Sequence, residues 1–108
     1  MFVKSYQYSI QRDKVDEFLA IQEESAAIYR RHLAFHTMYL NSTEDESKWI
    51  EMTFYQNEED YQQGIKSINK ESEIHILFEK FQSLLCPVNN QIFEESFVIK
   101  KEEIHAFK

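Results

Sequence analysis

Glycine and proline are almost missing from this chain of 108 residues, where Gly64 and Pro87 are the sole examples. Loops that cradle phosphates and dinucleotide fingerprints need several glycines for close backbone approach, and the nucleophile elbow needs glycine around its serine. Nucleotide binding through those motifs and α/β-hydrolase chemistry are therefore excluded, and turns must be built from Asn, Asp and Ser. Cysteine is equally scarce. Cys86 alone cannot form an intrachain disulfide or a Cys-x-x-Cys metal or redox pair. Beside Pro87 it reads as a small apolar filler at a helix end.

Basic residues are outnumbered, 12 against 19 acidic, for a net charge of −7. Such a field repels phosphate backbones and offers no counterion release to drive binding. The adjacent basic pairs Arg30-Arg31 and Lys100-Lys101 fall far short of a polybasic patch. No apolar run approaches the ~20 residues a membrane span needs, and Met1 to Tyr6 has no basic region leading into an apolar one. The expectation is a soluble, cytoplasmic protein with neither nucleic-acid nor membrane partners. The triplet Asn41-Ser42-Thr43 would be a glycosylation acceptor in a secreted protein and reads here as turn chemistry.

What the chain does have is 43% hydrophobic and 15% aromatic residues, with nine Phe and six Tyr. That is the composition of one globular domain, which at this size hides roughly two-thirds of its unfolded surface. The domain is expected over 1–99, followed by a charged tail, 100–108, in which Ile104 and Phe107 are candidates for docking.

Phe2, Tyr6, Tyr8 and Ile10 alternate with Ser5, Gln7 and Ser9, and period two means a strand. Asp13 with Asp16 three residues later marks a helix start, and Val15, Phe18, Leu19, Ala26, Tyr29 and Leu33 fall on one stripe, predicting a helix over 14–33. Phe35 to Leu40 and Lys48 to Gln56 read as strands joined by a polar loop, an antiparallel pair. Asn57 is a good N-cap for a helix through Tyr61, Ile65 and Ile68. A polar break then precedes the stripe Ile74, Leu77, Phe78, Phe81 and Leu85, giving two helices or one bent helix. Gln91 to Ile99 alternates again as the last strand. The order strand, helix, strand, strand, helix, strand is the ferredoxin-like split β-α-β-β-α-β unit, an α+β class with a four-stranded antiparallel sheet and helices on one face.

A sheet covered on one face leaves the other bare. Both faces of the middle strands carry large side chains, with Trp49 and Tyr55 opposite Ile50, Met52 and Phe54, and Phe35 and Tyr39 opposite Met38 and Leu40. The simplest cover is a second copy across a two-fold axis, so a homodimer is expected. Trp49 begins a strand beside the long loop, which suits a dimer interface or a cavity mouth, and the enrichment of Trp at interfaces favours the former.

This pattern resembles the dimeric α+β barrel superfamily, in particular its antibiotic-biosynthesis-monooxygenase-like branch. The likeness covers nearly the whole chain. Phe54-Tyr55-Gln56-Asn57-Glu58-Glu59-Asp60-Tyr61 looks like that family's strand-to-helix segment, with an aromatic ending strand three and an acidic turn opening the next helix. Ser72-Glu73-Ile74-His75-Ile76-Leu77-Phe78 resembles the later segment, where a His precedes an aromatic. The resemblance implies a cavity between sheet and helices that takes a flat organic molecule, in a family of cofactor-independent oxygenases of polycyclic phenols, quinol oxygenases, haem-degrading enzymes and small proteins without an assigned reaction. The haem-degrading branch uses an Asn on the first strand, a Trp on the helix after strand three and a His on the following helix. Tyr6, Gly64 and Glu79 stand at the corresponding places here, which ranks haem binding or degradation third.

Four residues are the candidates for such a site. His75, at the flank of the Ile74-Leu77-Phe78-Phe81 stripe, can reach a cavity and move a proton near neutral pH; the alternative is a boundary His with one hydrogen bond to backbone or water. Tyr6 and Tyr55 belong to a set with Tyr8, Tyr29 and Tyr39 that can line a cavity, stack on an aromatic ligand and orient it with hydroxyls, or simply pack. Gln22 lies within the first helix's apolar stripe and needs a polar partner or a ligand. His32 and His36 have the i, i+4 spacing of a helical metal pair but straddle a helix end, so neither a metal nor another cofactor is expected. The functional expectation is a cofactor-independent, monooxygenase-like protein that binds or oxidises a small flat quinol or phenol. A non-catalytic dimer that binds a small molecule or serves in stress is the alternative.

Overall fold

Alternation in the strands decides which side chains the helices cover. In a computed structural model, which describes residues 1–106, the elements are β1 (Phe2–Ser9), α1 (Val15–Tyr29) after a single 3₁₀ turn at Arg12–Lys14, β2 (Phe35–Asn41), β3 (Lys48–Tyr55), α2 (Glu58–Ile68), α3 (Ser72–Ser83) and β4 (Phe93–Val98). The strands form one sheet in the order β2-β3-β1-β4 with every pair antiparallel. This is the ferredoxin-like α+β arrangement expected from the element order. Among the described residues no helix is long and apolar enough to cross a membrane.

Cross-strand register stacks the inward side chains in rows that run over the whole sheet. One row is Phe35, Tyr55, Phe2 and Val98; the next is Thr37, Thr53, Lys4 and Ser96; the third is Tyr39, Glu51, Tyr6 and Glu94. Trp49 and Tyr8 follow as opposed partners. The core therefore gathers at both ends of the sheet, and the polar rows lie between. At one end Phe18 of α1, with no exposed surface, contacts Trp49 at 5.0 Å between ring centres, Tyr8 at 5.7 Å and Phe81 at 6.2 Å. At the other, Phe2 packs on Tyr61 of α2 at 5.3 Å, and Tyr55 on Tyr61 at 4.8 Å. Ile28, Ile68 and Leu77 join the three helices behind them.

Several local expectations are corrected. Trp49 is buried in the helix-side core against Phe18 rather than on an interface, because its place in β3 shares the inward face with Glu51, Thr53 and Tyr55. Its Nε1 has no hydrogen-bond partner among the described residues. Helix α1 stops at Tyr29, four residues before the expected end, since Leu33 turns away to pack toward α2 and α3. Asp13 lies in the 3₁₀ turn and does not cap α1, whose N-cap is Lys14 without a side-chain bond. Asn57 does cap α2, its Oδ1 accepting from the Asp60 amide at 2.7 Å. The helical stretch after it is two helices, broken at 69–71. There Glu71 accepts hydrogen bonds from Arg31 and His32, tying the end of α1 to the α2–α3 turn. The His32 hydrogen bond, helped by the Arg31 charge, holds the Glu71 carboxyl below its usual range. His36 sits on the other sheet face against Phe54 at 5.7 Å, so the two histidines point apart. Ile104 is 81% exposed in a stretch without regular structure and does not dock; Phe107 lies outside the described residues.

Gly64 shows how closely α2 approaches the turn after α1. It is buried, and a Cβ built there would overlap the Leu33 side chain. Alanine in a helix gains about 1 kcal/mol over glycine, whereas overpacking a tight contact costs about 1–3 kcal/mol. Gly64→Ala should therefore lower the stability measured by urea unfolding despite its better helix propensity, and adding Leu33→Ala should remove the clash component of that loss.

Candidate functional site

Between the sheet and helices α1 and α3 lies a cavity of about 690 Å³, partly open to solvent. Its floor is the third inward row, Tyr39, Glu51, Tyr6 and Glu94, one residue from each strand. The cavity exists because the aromatic clusters hold the two ends of the sheet against the helices while small residues of α1, Ser25 and Ala26, face the middle. Phe78 and Phe81 of α3 form one wall with stacked rings 6.1 Å apart, and they leave the space open rather than filling it.

All five tyrosines of the expected set, Tyr6, Tyr8, Tyr29, Tyr39 and Tyr55, line this space. Burial, with smaller contributions from neighbouring acidic and phenolic groups, pushes Tyr29 up to about 12. It raises Tyr6, Tyr8, Tyr39 and Tyr55 further still. Each is a neutral phenol at physiological pH, able to donate a hydrogen bond and unable to serve as a phenolate base. Gln22 also lines the cavity, and the partner its position in α1 demanded is the Tyr39 hydroxyl, which donates to Oε1 at 3.0 Å. Thus the structure brings together Tyr6, Gln22 and Tyr55. It sets His75 apart, on the exposed side of α3, with Nε2 2.8 Å from the Asn69 carbonyl and outside the cavity lining.

The residue that sequence reasoning passed over is Glu51. It stands mid-strand in β3 with its side chain toward the cavity, and Tyr8 donates to its Oε1 at 2.8 Å. Burial holds its carboxyl above the usual carboxylate range, and the Tyr8 hydrogen bond offsets this only in part. A signal was present: in the alternation Trp49, Glu51, Thr53, Tyr55 a carboxylate takes an inward position between aromatic ones, a place where charge is costly unless it is used. Glu94, at the β4 end of the same row, is differently placed, since Lys4 Nζ lies 2.6 Å from its Oε1 and also donates to Ser96 Oγ at 3.1 Å.

With this geometry in view, the chain has a ferredoxin-like α+β fold that several solved proteins share. The oxygenase SnoaB from Streptomyces nogalater, described as cofactor-independent, superposes with a TM-score of 0.71 at 9% identity over 94% of each chain. An antibiotic biosynthesis monooxygenase superposes with a TM-score of 0.68 at 10% identity, over 94% of this chain and 100% of that one. A NIPSNAP domain protein from Burkholderia xenovorans gives 0.69 at 17% identity, over 92% and 94%. At such identities the likeness is one of fold. No protein-family model matches the sequence, and no curated protein does.

The raised Glu51 carboxyl has a consequence for stability. A carboxyl whose folded pKa lies above its unfolded value of about 4.5 favours the fold most when protonated, and the contribution is lost as pH rises through the folded pKa. Glu51→Gln, which keeps the shape and cannot ionise, should match wild type near pH 4 and exceed its melting temperature once the pH has risen above the ordinary carboxylate range, the difference levelling off above the folded pKa. A constant difference across that range would show that Glu51 is not held as described.

Proposed function

We propose that this chain binds, and in the catalytic version oxidises, a small flat hydroxylated aromatic such as a quinol or phenol in the cavity between sheet and helices. The observation that carries the reading is the cavity itself, which pairs aromatic walls with hydrogen-bonding groups on its floor. Tyrosine rings and the Phe78–Phe81 wall stack on the ring system. Gln22 and the phenols orient its hydroxyls, and a ring seated between sheet and helices displaces water from the apolar walls. The lining carboxylates are the acceptors available for a hydroxyl proton. With an anthrone, the keto form of a polycyclic phenol, the deprotonated ring carbon reacts with dioxygen: the ring CH₂ becomes C=O, one oxygen atom enters the product, and the other leaves as water. The substrate supplies all four electrons, so the reading needs no cofactor. The oxygenase among the fold neighbours supports this reading.

The alternative is a non-catalytic protein that uses the same cavity for binding, and the position of His75 favours it. A histidine tied to the Asn69 carbonyl outside the lining leaves the cavity without an imidazole to move protons. We further propose that two copies pair through the outer sheet face, where Val3, Met38, Leu40, Met52, Phe54 and Phe97 form an apolar surface, with Met38, Leu40 and Phe97 exposed to solvent. The cytoplasm is the proposed compartment, on the lone-cysteine composition.

Oxygen uptake with quinols and anthrones tests the catalytic version. Uptake should appear with wild type, persist within about twofold in His75→Ala, and fall about tenfold or more in Gln22→Ala, a loss of about 1.4 kcal/mol of barrier lowering. A silent panel with thermal shifts from the same aromatics selects the binding protein, and silence in both assays removes the proposal. Hemin should give no Soret shift. For the dimer, sedimentation at micromolar concentration should show two copies in wild type and one in Met52→Asp; a wild-type monomer would overturn that part.

A further inference from the structure

Resting on the reading of the cavity as a site for flat aromatics, we infer that its ligand carries a positively charged nitrogen, which sits over the floor row and pairs with Glu51. The two floor carboxylates make the case by their difference. Glu94 has its cation inside the protein, with Lys4 Nζ 2.6 Å away, and Lys4 itself is buried and absent from the lining. Glu51, a mid-sheet carboxylate, has among the described residues one neutral hydrogen bond, from Tyr8, and no salt bridge. Glu23 of α1, exposed at the cavity mouth, adds a further acidic group, and among the described residues the lining contains no Lys, Arg or His.

The walls point the same way. Tyrosine faces attract cations, more strongly when water is excluded. The protein already uses this attraction at the edge of the site, where Lys4 Nζ lies 5.9 Å from the centre of the Tyr6 ring and 5.6 Å from that of Tyr61. A half-buried carboxylate without a counter-charge is costly, and a ligand cation offsets that cost on binding. An anionic ligand meets the opposite situation, with a floor of carboxylates and neutral phenols and a chain whose net charge is −7. The ligand class is therefore an arylalkylamine, a ring system bearing an alkylammonium nitrogen charged at neutral pH, with hydroxyls on the same ring system facing the phenols and Gln22.

Three matched probes decide this by calorimetry at low salt: 2-naphthylmethylammonium, 2-naphthalenemethanol and 2-naphthoate. Wild type should bind the ammonium at least about tenfold more tightly than the alcohol, and the naphthoate weakest. Glu51→Gln should abolish the preference, bringing the ammonium to within about twofold of the alcohol measured on the same variant. The wild-type ranking stands as a test even if the variant folds poorly. If the alcohol or the naphthoate equals the ammonium, or if Glu51→Gln keeps the ranking, the charge inference fails while the aromatic site survives. If none of the three binds at millimolar concentration, the aromatic site fails and the inference with it.

Discussion

Everything in this molecule depends on the sheet having inward rows of unequal polarity. A four-stranded sheet under three helices would ordinarily close its covered face with aliphatic side chains. Here the register sets apolar and aromatic rows at the two ends and polar rows in the middle, with Thr37, Thr53, Lys4 and Ser96 beside Tyr39, Glu51, Tyr6 and Glu94. The helices are therefore anchored at the ends, by Phe18 against Trp49 and Tyr8 and by Tyr61 against Phe2 and Tyr55, and stand off the middle. The cavity is the space that this division leaves.

The same division explains how polar groups persist at a buried site. The middle rows partner one another: Thr37 with Thr53 at 2.9 Å, Lys4 with Ser96 and Glu94, Tyr39 with Gln22, and Tyr8 with Glu51. Buried polar groups are tolerated when they are paired, and this network pairs nearly all of them with neutral partners or within the chain. Glu51 is the member whose charge no group in the network compensates. Its raised carboxyl follows from its partial burial on the cavity floor, where among the described residues no cationic side chain lines the space beside it.

Much of the fold was legible because it rests on periodicity. Alternation in Phe2 to Ile10 and Lys48 to Gln56 marked the strands, and the face lists read from them match the inward and outward sides of the structure. Asn57 announced its cap. Where expectation failed, the decisive contact joins residues far apart in the chain. Trp49 looked like an interface residue because its partner, Phe18, lies thirty-odd residues away on α1; the shortened α1 follows from Leu33 packing toward α2 and α3; and Asp13 was displaced from capping by a 3₁₀ turn. Of the site, the tyrosines and Gln22 were visible as an excess of phenols and a polar residue in an apolar stripe. His75 was drawn in by its titration range, whereas its ring meets a backbone carbonyl at the preceding turn. Glu51 was recoverable from alternation alone, had its charge been weighed against its face.

The central claim, that the covered middle of the sheet is where a flat aromatic binds, is tested most directly by nuclear magnetic resonance mapping. Side-chain signals of the protein would be followed while a two-ring aromatic cation is added. Ring-current shifts are expected for Tyr39, Tyr55, Ala26 and the Gln22 amide, all of the cavity lining, with Met38 and Met52 on the outer face unmoved. Shifts confined to Met38 and Met52, or none at saturating ligand, would contradict it.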